Sequence, residues 1–270
     1  MRYEARERLF TAAAYLYVVA CCIVMLLPFG VTFLRSIAFT EGFPFVSIES
    51  YTNIVGHFWP RVGISVNIGI ATVIVDVLVA VPAAFALTRY TWKARRVIYL
   101  ILTAVWYIPG ISYALALILA YYLIFIYRPL LGFWGYVAAY SCGFFPIMLM
   151  SCIVAFRQLD PSYEEAANCL GAGRLRTFLS VTLPLIGPGV TAGILLTFVL
   201  SFNEFVTALL LSGPTRILTA PVKVFDDIQH AGMHGFIAAE ASVLQIVSFA
   251  ACLIYLRVVG TRYLRGTILI

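Results

Sequence analysis

Six apolar stretches, each long enough to cross a lipid bilayer, dominate this sequence. A helix needs about 20 apolar residues to span the hydrocarbon core. Hydrophobic residues make up 63% of the chain and charged residues only 11%, against about 25% charged residues in soluble domains. We therefore predict an all-α integral membrane protein, with one transmembrane domain over residues 1–270. The predicted spans are 10–34, 63–88, 97–126, 133–155, 187–211 and 236–257.

The distribution of lysine and arginine between the loops indicates how these spans are oriented. Short cytoplasmic loops of membrane proteins carry an excess of both residues. Thirteen of the eighteen lie on one side, at the two ends of the chain and in the loops near 88–97 and 156–186. The other side carries Arg35, Arg61, Arg128, Arg216 and Lys223. We therefore place both termini in the cytoplasm, and the basic excess reflects membrane topology rather than nucleic-acid binding.

The cytoplasmic loop between the fourth and fifth spans has a pattern of its own. Asp160 followed by Pro161 is typical of a helix start, a capping carboxylate before a proline at the first helical position. Gly171 and Gly173 then end that helix and permit a sharp turn. A second short helix is expected to end before Pro184. Local physics alone is equally consistent with an amphipathic helical hairpin on the membrane surface.

The same loop also has a fixed spacing: Glu165-Ala-Ala, three residues, Gly171, nine residues, Val181, one residue and Leu183-Pro184. This spacing resembles the EAA loop of binding-protein-dependent ABC importer permeases, where isoleucine stands at the position of Val181. The resemblance implies that loop 157–184 forms coupling helices that dock on a nucleotide-binding subunit. Glu165 and Gly171 would then be the positions most sensitive to substitution. The predicted ATPase-coupling residues are Glu164, Glu165, Ala166, Ala167, Gly171, Leu183 and Pro184.

The resemblance also implies partners and a location. Two ATPase subunits would bind at the coupling loops, a second six-span permease, identical or homologous, would pair with this chain, and an extracytoplasmic solute-binding protein would deliver the substrate. The location would be the bacterial cytoplasmic (inner) membrane. A Walker A loop has the pattern G-x-x-x-x-G-K-[ST], and neither Lys93 nor Lys223 stands in one. We therefore predict a transport subunit that is not an enzyme and has no cofactor of its own, with ATP and Mg bound by partner subunits.

Three acidic residues lie inside predicted spans: Asp76, Glu204 and Glu240. A charged side chain in a span costs about 3 kcal/mol on insertion scales, so each marks a candidate functional site. Ionised, these carboxylates would form an outer-half cavity that favours a cation. The alternative is neutral hydrogen-bonding groups, with Glu240 reaching the outer interface and Glu204 capping a broken helix. The predicted substrate-pathway residues are Asp76, Asn203, Glu204 and Glu240.

The stretch from Ser201 to Val224 is similar to the polyamine (spermidine/putrescine) branch of these permeases. In that branch an acidic pair often occupies the positions where this chain has Asn203 and Glu204. The resemblance implies a small organic solute, a cationic amine or polyamine, and the missing acid weakens the case for a multiply charged amine. A non-cationic solute is the alternative. Aromatic side chains that could stack on a bound ammonium are Trp106, Tyr107, Tyr113, Tyr121, Tyr122 and Tyr127.

Two other classes of protein are consistent with parts of this sequence. A proton-coupled secondary transporter could use the intramembrane acids as a relay, but no convincing inverted repeat is evident. An intramembrane enzyme would need a nucleophile or metal set within the spans, and the histidines lie outside them. His230 and His234 lie near two aspartates in an outer loop. This loop fits packing against a partner protein better than metal binding, so we predict no metal site.

Overall fold

The computed structural model describes residues 2–37, 49–124, 132–232 and 235–257. All regular structure in these ranges is helical, which confirms the predicted all-α class. The helices are α1 (Arg2–Ile37), α2 (Glu49–Ile54), α3 (Trp59–Arg89), α4 (Arg95–Ala104), α5 (Gly110–Ile124), α6 (Phe133–Gln158), α7 (Ser162–Cys169), α8 (Arg174–Thr177), α9 (Leu183–Phe202), α10 (Val206–Thr215), α11 (Ala220–Ala231) and α12 (Gly235–Tyr255).

Five helical stretches of the described chain are long and apolar enough to cross a membrane by themselves. They are Phe10–Ile37, Trp59–Arg89, Phe133–Gln158, Arg174–Phe202 and Gly235–Ile254. A sixth span results if the bent pair of α4 and α5 counts as one. The first of these stretches is exposed along its apolar length, a surface that requires lipid or another protein as its surroundings.

The predicted third span, 97–126, is not one continuous helix. Arg95–Tyr107 and Gly110–Tyr121 are bent by 106° relative to each other. Pro109 stands at the bend, and the residue before it, Ile108, is extended with φ −86° and ψ 131°. Proline lacks an N–H and disfavours helical geometry at the preceding residue. The predicted span is therefore a bent pair of helices with its break at Pro109 and Gly110, as these two residues indicate, and the end of the predicted span lies outside the described residues.

The predicted fifth span, 187–211, is also interrupted. α9 ends at Phe202 and α10 begins at Val206, with Asn203 and Glu204 in the break. No proline or glycine lies between these two helices. The sequence therefore has no proline or glycine that would predict a break here. The hydrogen bonds of the polar side chains at the break stabilise it.

The coupling loop runs into α9 without the predicted stop before Pro184. Helical geometry continues from Arg174 to Phe202, with a π-helical turn at Phe178–Thr182. Pro184 falls in the first turn of α9. In this continuous stretch Pro184 follows directly on the π-helical turn, where the regular α-helical hydrogen-bond pattern is already interrupted. The expected break was therefore wrong.

The chain divides into two compact units, a small unit of residues 1–59 and 224–246 and a large unit of residues 60–223 and 247–270. In the small unit, the hydroxyls of Ser36 and Tyr51 lie 2.7 Å apart, and Ile54 and Phe58 are completely buried.

Within the large unit, α6 and α9 pack closely against each other. A Cβ on Gly189 would lie 2.5 Å from the Cβ of Ala155, and one on Gly193 would lie 2.8 Å from the Sδ of Met148. Neither position has room for a side chain without movement of its neighbours. Small residues at such contacts let membrane helices approach closely. The contact between α6 and α9 therefore fixes the positions of these two helices relative to each other.

Candidate substrate cavity and coupling loop

Both helix interruptions of the large unit line one cavity of about 190 Å³. The bend between α4 and α5 contributes Trp106 and Ile108, and the break between α9 and α10 contributes Glu204. Irregular backbone is tolerated at membrane depth where it lines a cavity or is covered by protein. Discontinuous helices build the substrate sites of many secondary transporters, so this cavity is the candidate substrate site.

Glu204 supplies the carboxyl group of this cavity. Its Oε1 accepts a hydrogen bond from the backbone N–H of Thr207 at 2.8 Å, so Glu204 caps the N-terminus of α10. The interpretation of Glu204 as the cap of a broken helix is thus confirmed. The same half-buried side chain lines the cavity, where no other described lining residue carries a carboxyl group.

Aromatic side chains form much of the remaining wall. Trp106, Tyr113, Tyr140 and Phe144 all line the cavity. The hydroxyl of Tyr113 donates a hydrogen bond to the carbonyl oxygen of Ala139 at 2.6 Å, and the rings of Tyr140 and Phe144 pack edge to face at 6.0 Å. These contacts hold the rings in place, so their faces form a preformed surface for a cation or an apolar group.

Only some of the aromatic residues predicted to stack on an ammonium group line the cavity. Trp106 and Tyr113 line the cavity, whereas Tyr107 is exposed and does not. The hydroxyl of Tyr121 donates to the carbonyl oxygen of Gly135 at 3.0 Å, within the protein core. The side chains of Tyr122 and Tyr127 lie outside the described residues. Sequence reasoning missed Tyr140 and Phe144, although their i, i+4 spacing places them on one face of α6.

Asp76 and Asn203 do not line this cavity. Asp76 is 1% exposed on α3, beside Ser141 of α6, and neither of its oxygens accepts a hydrogen bond of ordinary geometry from a described residue. Asn203 donates from Nδ2 to the Oγ of Ser248 at 2.9 Å and accepts from the same hydroxyl at 3.2 Å. Asn203 therefore links the end of α9 to α12, instead of facing a substrate in the cavity.

Glu240 belongs to the small unit and has a different environment. Its side chain is completely buried, and its Oε1 lies 3.2 Å from the Nε2 of His57. It therefore contacts protein and not solvent, and its place relative to the outer membrane interface stays a prediction. Of the four predicted substrate-pathway residues, the structure therefore brings only Glu204 to the cavity.

The turn of the coupling loop follows the sequence prediction. Asp160 Oδ1 accepts a hydrogen bond from the backbone N–H of Ser162 at 2.9 Å at the start of α7. Backbone and side-chain hydrogen bonds from Ser162 hold the pKa of Asp160 below its ordinary value. Gly171 has φ +86°, a left-handed conformation that glycine adopts without steric cost. Gly173 has φ −70° and needs no such freedom.

Glu164 connects the coupling loop to α3 and to the start of α9. Its carboxylate forms an ion pair with Arg89 at the end of α3, with the Nε 3.0 Å from Oε2. The hydroxyl of Thr182, just before α9, donates to Glu164 Oε1 at 3.0 Å. Both side chains of the ion pair are largely buried, at 15% and 16% exposure. Sequence reasoning identified Glu164 but missed Arg89, because 75 residues separate the two.

Other residues of the EAA pattern differ in their exposure. Glu165, Ala166 and Pro184 are exposed, while Ala167 and Leu183 are half-buried. The loop also exposes apolar side chains that sequence reasoning missed, with Leu170 at 89% and Leu175 at 71%. Large apolar side chains exposed in a cytoplasmic loop are candidates for contact with a partner protein.

Comparison with known proteins decides the family. Residues 76–265 match the family described as "Binding-protein-dependent transport system inner membrane component", which is more than half of the chain. The chain belongs to this family. Its members are multi-pass permeases of bacterial ABC importers in the inner membrane, and separate subunits hydrolyse ATP for them. This permease is therefore a transport subunit, as the EAA loop indicated.

Relatives of this permease are named for different transported solutes. It is 29% identical to the "Spermidine/putrescine transport system permease protein PotC homolog" of Mycoplasma genitalium, covering 74% of this chain and 69% of that protein. It is 28% identical to the "Trehalose/maltose transport system permease protein MalG" of Thermococcus litoralis, covering 87% and 85%. A solved bacterial ABC transporter that imports alginate contains a similar chain, with a TM-score of 0.68, 18% identity and coverage of 95% and 97%. At that identity the likeness supports the fold alone.

Proposed function

We propose that this permease conducts a small organic cation through the cavity lined by Glu204. The observation that carries the proposal is one carboxylate facing a wall of fixed aromatic rings. A carboxylate attracts an ammonium group, and aromatic faces attract it further by about 0.5–2 kcal/mol each. Asn203 is uncharged and hydrogen-bonds Ser248, so Glu204 supplies the one negative charge among the described lining residues. This arrangement suits a single ammonium group better than a chain of several.

The volume and the relatives are consistent with this proposal. A cavity of about 190 Å³ suits a small solute or one end of a longer one. One relative is named for spermidine and putrescine.

A neutral sugar is the second candidate. Glu204 already accepts one hydrogen bond from Thr207, which stabilises the carboxylate without a cation. Aromatic faces also suit the apolar face of a sugar ring, and another relative is named for trehalose and maltose. The two candidates differ in whether the charge of Glu204 is needed.

We further propose how the partner subunits act on this permease. ATPase subunits dock on the exposed side of α7 and on Leu170 and Leu175, and their closure moves the loop. The Glu164–Arg89 ion pair passes that movement to α3. A second permease completes the pathway, and an extracytoplasmic binding protein delivers the solute to it. Alternating access then follows ATP binding and hydrolysis in the partners.

Uptake by the reconstituted complex tests the substrate proposal. Labelled monoamine, putrescine and trehalose are compared for the wild type and for Glu204→Gln, which keeps an oxygen that can accept from Thr207. Loss of a charge-assisted hydrogen bond is expected to lower amine uptake roughly tenfold or more. Glu204→Asp, which retains the charge, is expected to keep a larger part of the activity.

Other outcomes separate the alternatives. Trehalose uptake that is equal in wild type and Glu204→Gln, with no amine uptake, would favour the neutral solute. Uptake of any solute without an ATPase, driven by a pH gradient, would instead support a proton-coupled transporter.

A further inference from the structure

A histidine and two carboxylates from distant parts of the sequence converge in the small unit, apart from the cavity and the coupling loop. His57 lies in the turn before α3, Asp227 on α11 and Glu240 on α12. One nitrogen or oxygen atom of each residue lies within 4.8 Å of those of the other two. His57 Nε2 and Glu240 Oε1 lie 3.2 Å apart.

The donor atoms are of the kind that divalent transition-metal ions use. Zinc binds imidazole nitrogen and carboxylate oxygen at about 2.0–2.2 Å, which places two donors of a tetrahedral site about 3.4 Å apart. The His57–Glu240 distance of 3.2 Å is already close to that spacing. The remaining separations exceed it by at most about 1.4 Å, a difference that side-chain rotation can close.

The three side chains differ in burial in a way that would let an ion enter from one side and be held on the other. Glu240 is 0% exposed on an apolar helix, whereas the His57 side chain is 45% exposed, and Asp227 is half-buried. The site thus has an inner anchor and an outer face through which an ion can enter. His57 offers a positive charge only when it is protonated. A divalent ion would balance both carboxylates from one position, which lowers the cost of burying Glu240.

We infer that His57, Asp227 and Glu240 bind one divalent transition-metal ion, of which Zn²⁺ is the best match for this donor set. The ion ties the turn before α3 to α11 and α12 within the small unit. The sequence did not indicate this grouping, because Glu240 lies 183 residues from His57. This inference is independent of the proposed substrate.

Metal content of the purified, assembled importer tests this inference. The complex is treated with a chelator, equilibrated with Zn²⁺, Mn²⁺ or Mg²⁺, freed of excess ion and analysed by elemental mass spectrometry. We expect about one Zn²⁺ per copy of this chain, and little Mg²⁺, which prefers all-oxygen sites. His57→Ala, on a half-exposed residue, and Glu240→Gln, of similar shape, are each expected to lower the Zn²⁺ affinity at least tenfold, since each removes a ligand.

A matched control and a second readout make the test decisive. His230 is 77% exposed and lies 3.3 Å from Asp226 one helical turn away, so His230→Ala should leave the metal content unchanged. Zn²⁺ at about 100 times its Kd should raise the thermal midpoint of the wild type by about 5 °C, but not that of Glu240→Gln. Zinc content near zero in the wild type, or zinc content that is equal in all variants, would overturn the inference. So would a thermal midpoint that responds to pH but not to zinc, because His57 and Glu240 would then be an ion pair only.

Discussion

At the scale of single residues, Gly171 is the position where the coupling loop depends most on backbone conformation. Its φ of +86° is strained for any residue with a Cβ, and no heavy atom lies within 4 Å of where that Cβ would stand. Gly171→Ala should therefore cost only the backbone strain, about 1–2 kcal/mol. We expect a lower thermal midpoint of the purified complex and weaker retention of the ATPase during purification.

Gly173→Ala is the matched control for this prediction. Gly173 is in the same loop and its surroundings are equally open, but its φ of −70° suits any residue. It should behave like the wild type in both measurements. Equal effects of the two substitutions would show that left-handed geometry is not what the loop requires at Gly171.

Residue-level prediction from the sequence was good where chemistry is local and poor where it depends on distant contacts. The cap at Asp160 and the turn at Gly171 follow from neighbouring residues, and both are present in the structure. Tyr140 was missed because hydropathy does not tell which face of a buried helix lines a cavity. The approach of His57 to Glu240 was missed because it depends on the tertiary fold.

At the scale of helices, the contact between α6 and α9 yields a prediction of its own. A Cβ on Gly189 would lie 2.5 Å from the Cβ of Ala155, so Gly189→Ala forces the helices apart. Overpacking of this kind costs about 1–3 kcal/mol. We expect a lower thermal midpoint and reduced uptake, because the cavity wall on α6 shifts with the helix.

A second substitution distinguishes packing from other effects of the methyl group. Ala155→Gly removes the atom that Gly189→Ala would meet, so the double variant should recover most of the lost stability. Gly187→Ala, with no atom within 4 Å of its Cβ position, serves as the neutral control. Failure of the double variant to recover, together with a normal control, would contradict the packing explanation.

Sequence patterns predicted where the helices lie better than how they are broken. Hydropathy located the spans because every long apolar stretch must avoid water. Pro109 marked a break but not its angle of 106°, which depends on the helices around it. The break after Phe202 had no proline or glycine to mark it. The sequence allowed Glu204 to be either a helix cap or a cation ligand, and the hydrogen bond from the Thr207 N–H identifies it as a cap of α10.

At the scale of the whole molecule, the Glu164–Arg89 pair connects the coupling loop, where we propose that the ATPase docks, to α3. Glu164→Ala removes the acceptor for Arg89 and for Thr182. We expect roughly fivefold less uptake per ATP hydrolysed, equivalent to about 1 kcal/mol after allowance for partial exposure. Parallel measurements of uptake and ATP hydrolysis in proteoliposomes check this.

Two comparisons separate coupling from docking. Glu165→Ala changes an exposed side chain, so it should weaken co-purification of the ATPase without changing the uptake per ATP. Arg89→Ala combined with Glu164→Ala should cost little more than either change alone, since both break the same pair. Additive losses in the double variant, or identical effects at Glu164 and Glu165, would argue against a transmitting role.

The meeting of two helix interruptions at one cavity has a consequence for how such a permease evolves. The two interruptions and one face of α6 supply the cavity wall, whereas the tight contacts between α6 and α9 lie at Met148, Ser151 and Ala155, which do not line it. Exchanging Trp106 or Phe144 for another residue would thus alter which solute fits, while the packed framework stays as it is. A permease with this arrangement can change its substrate by a few replacements in the cavity wall and still work with the same ATPase subunits.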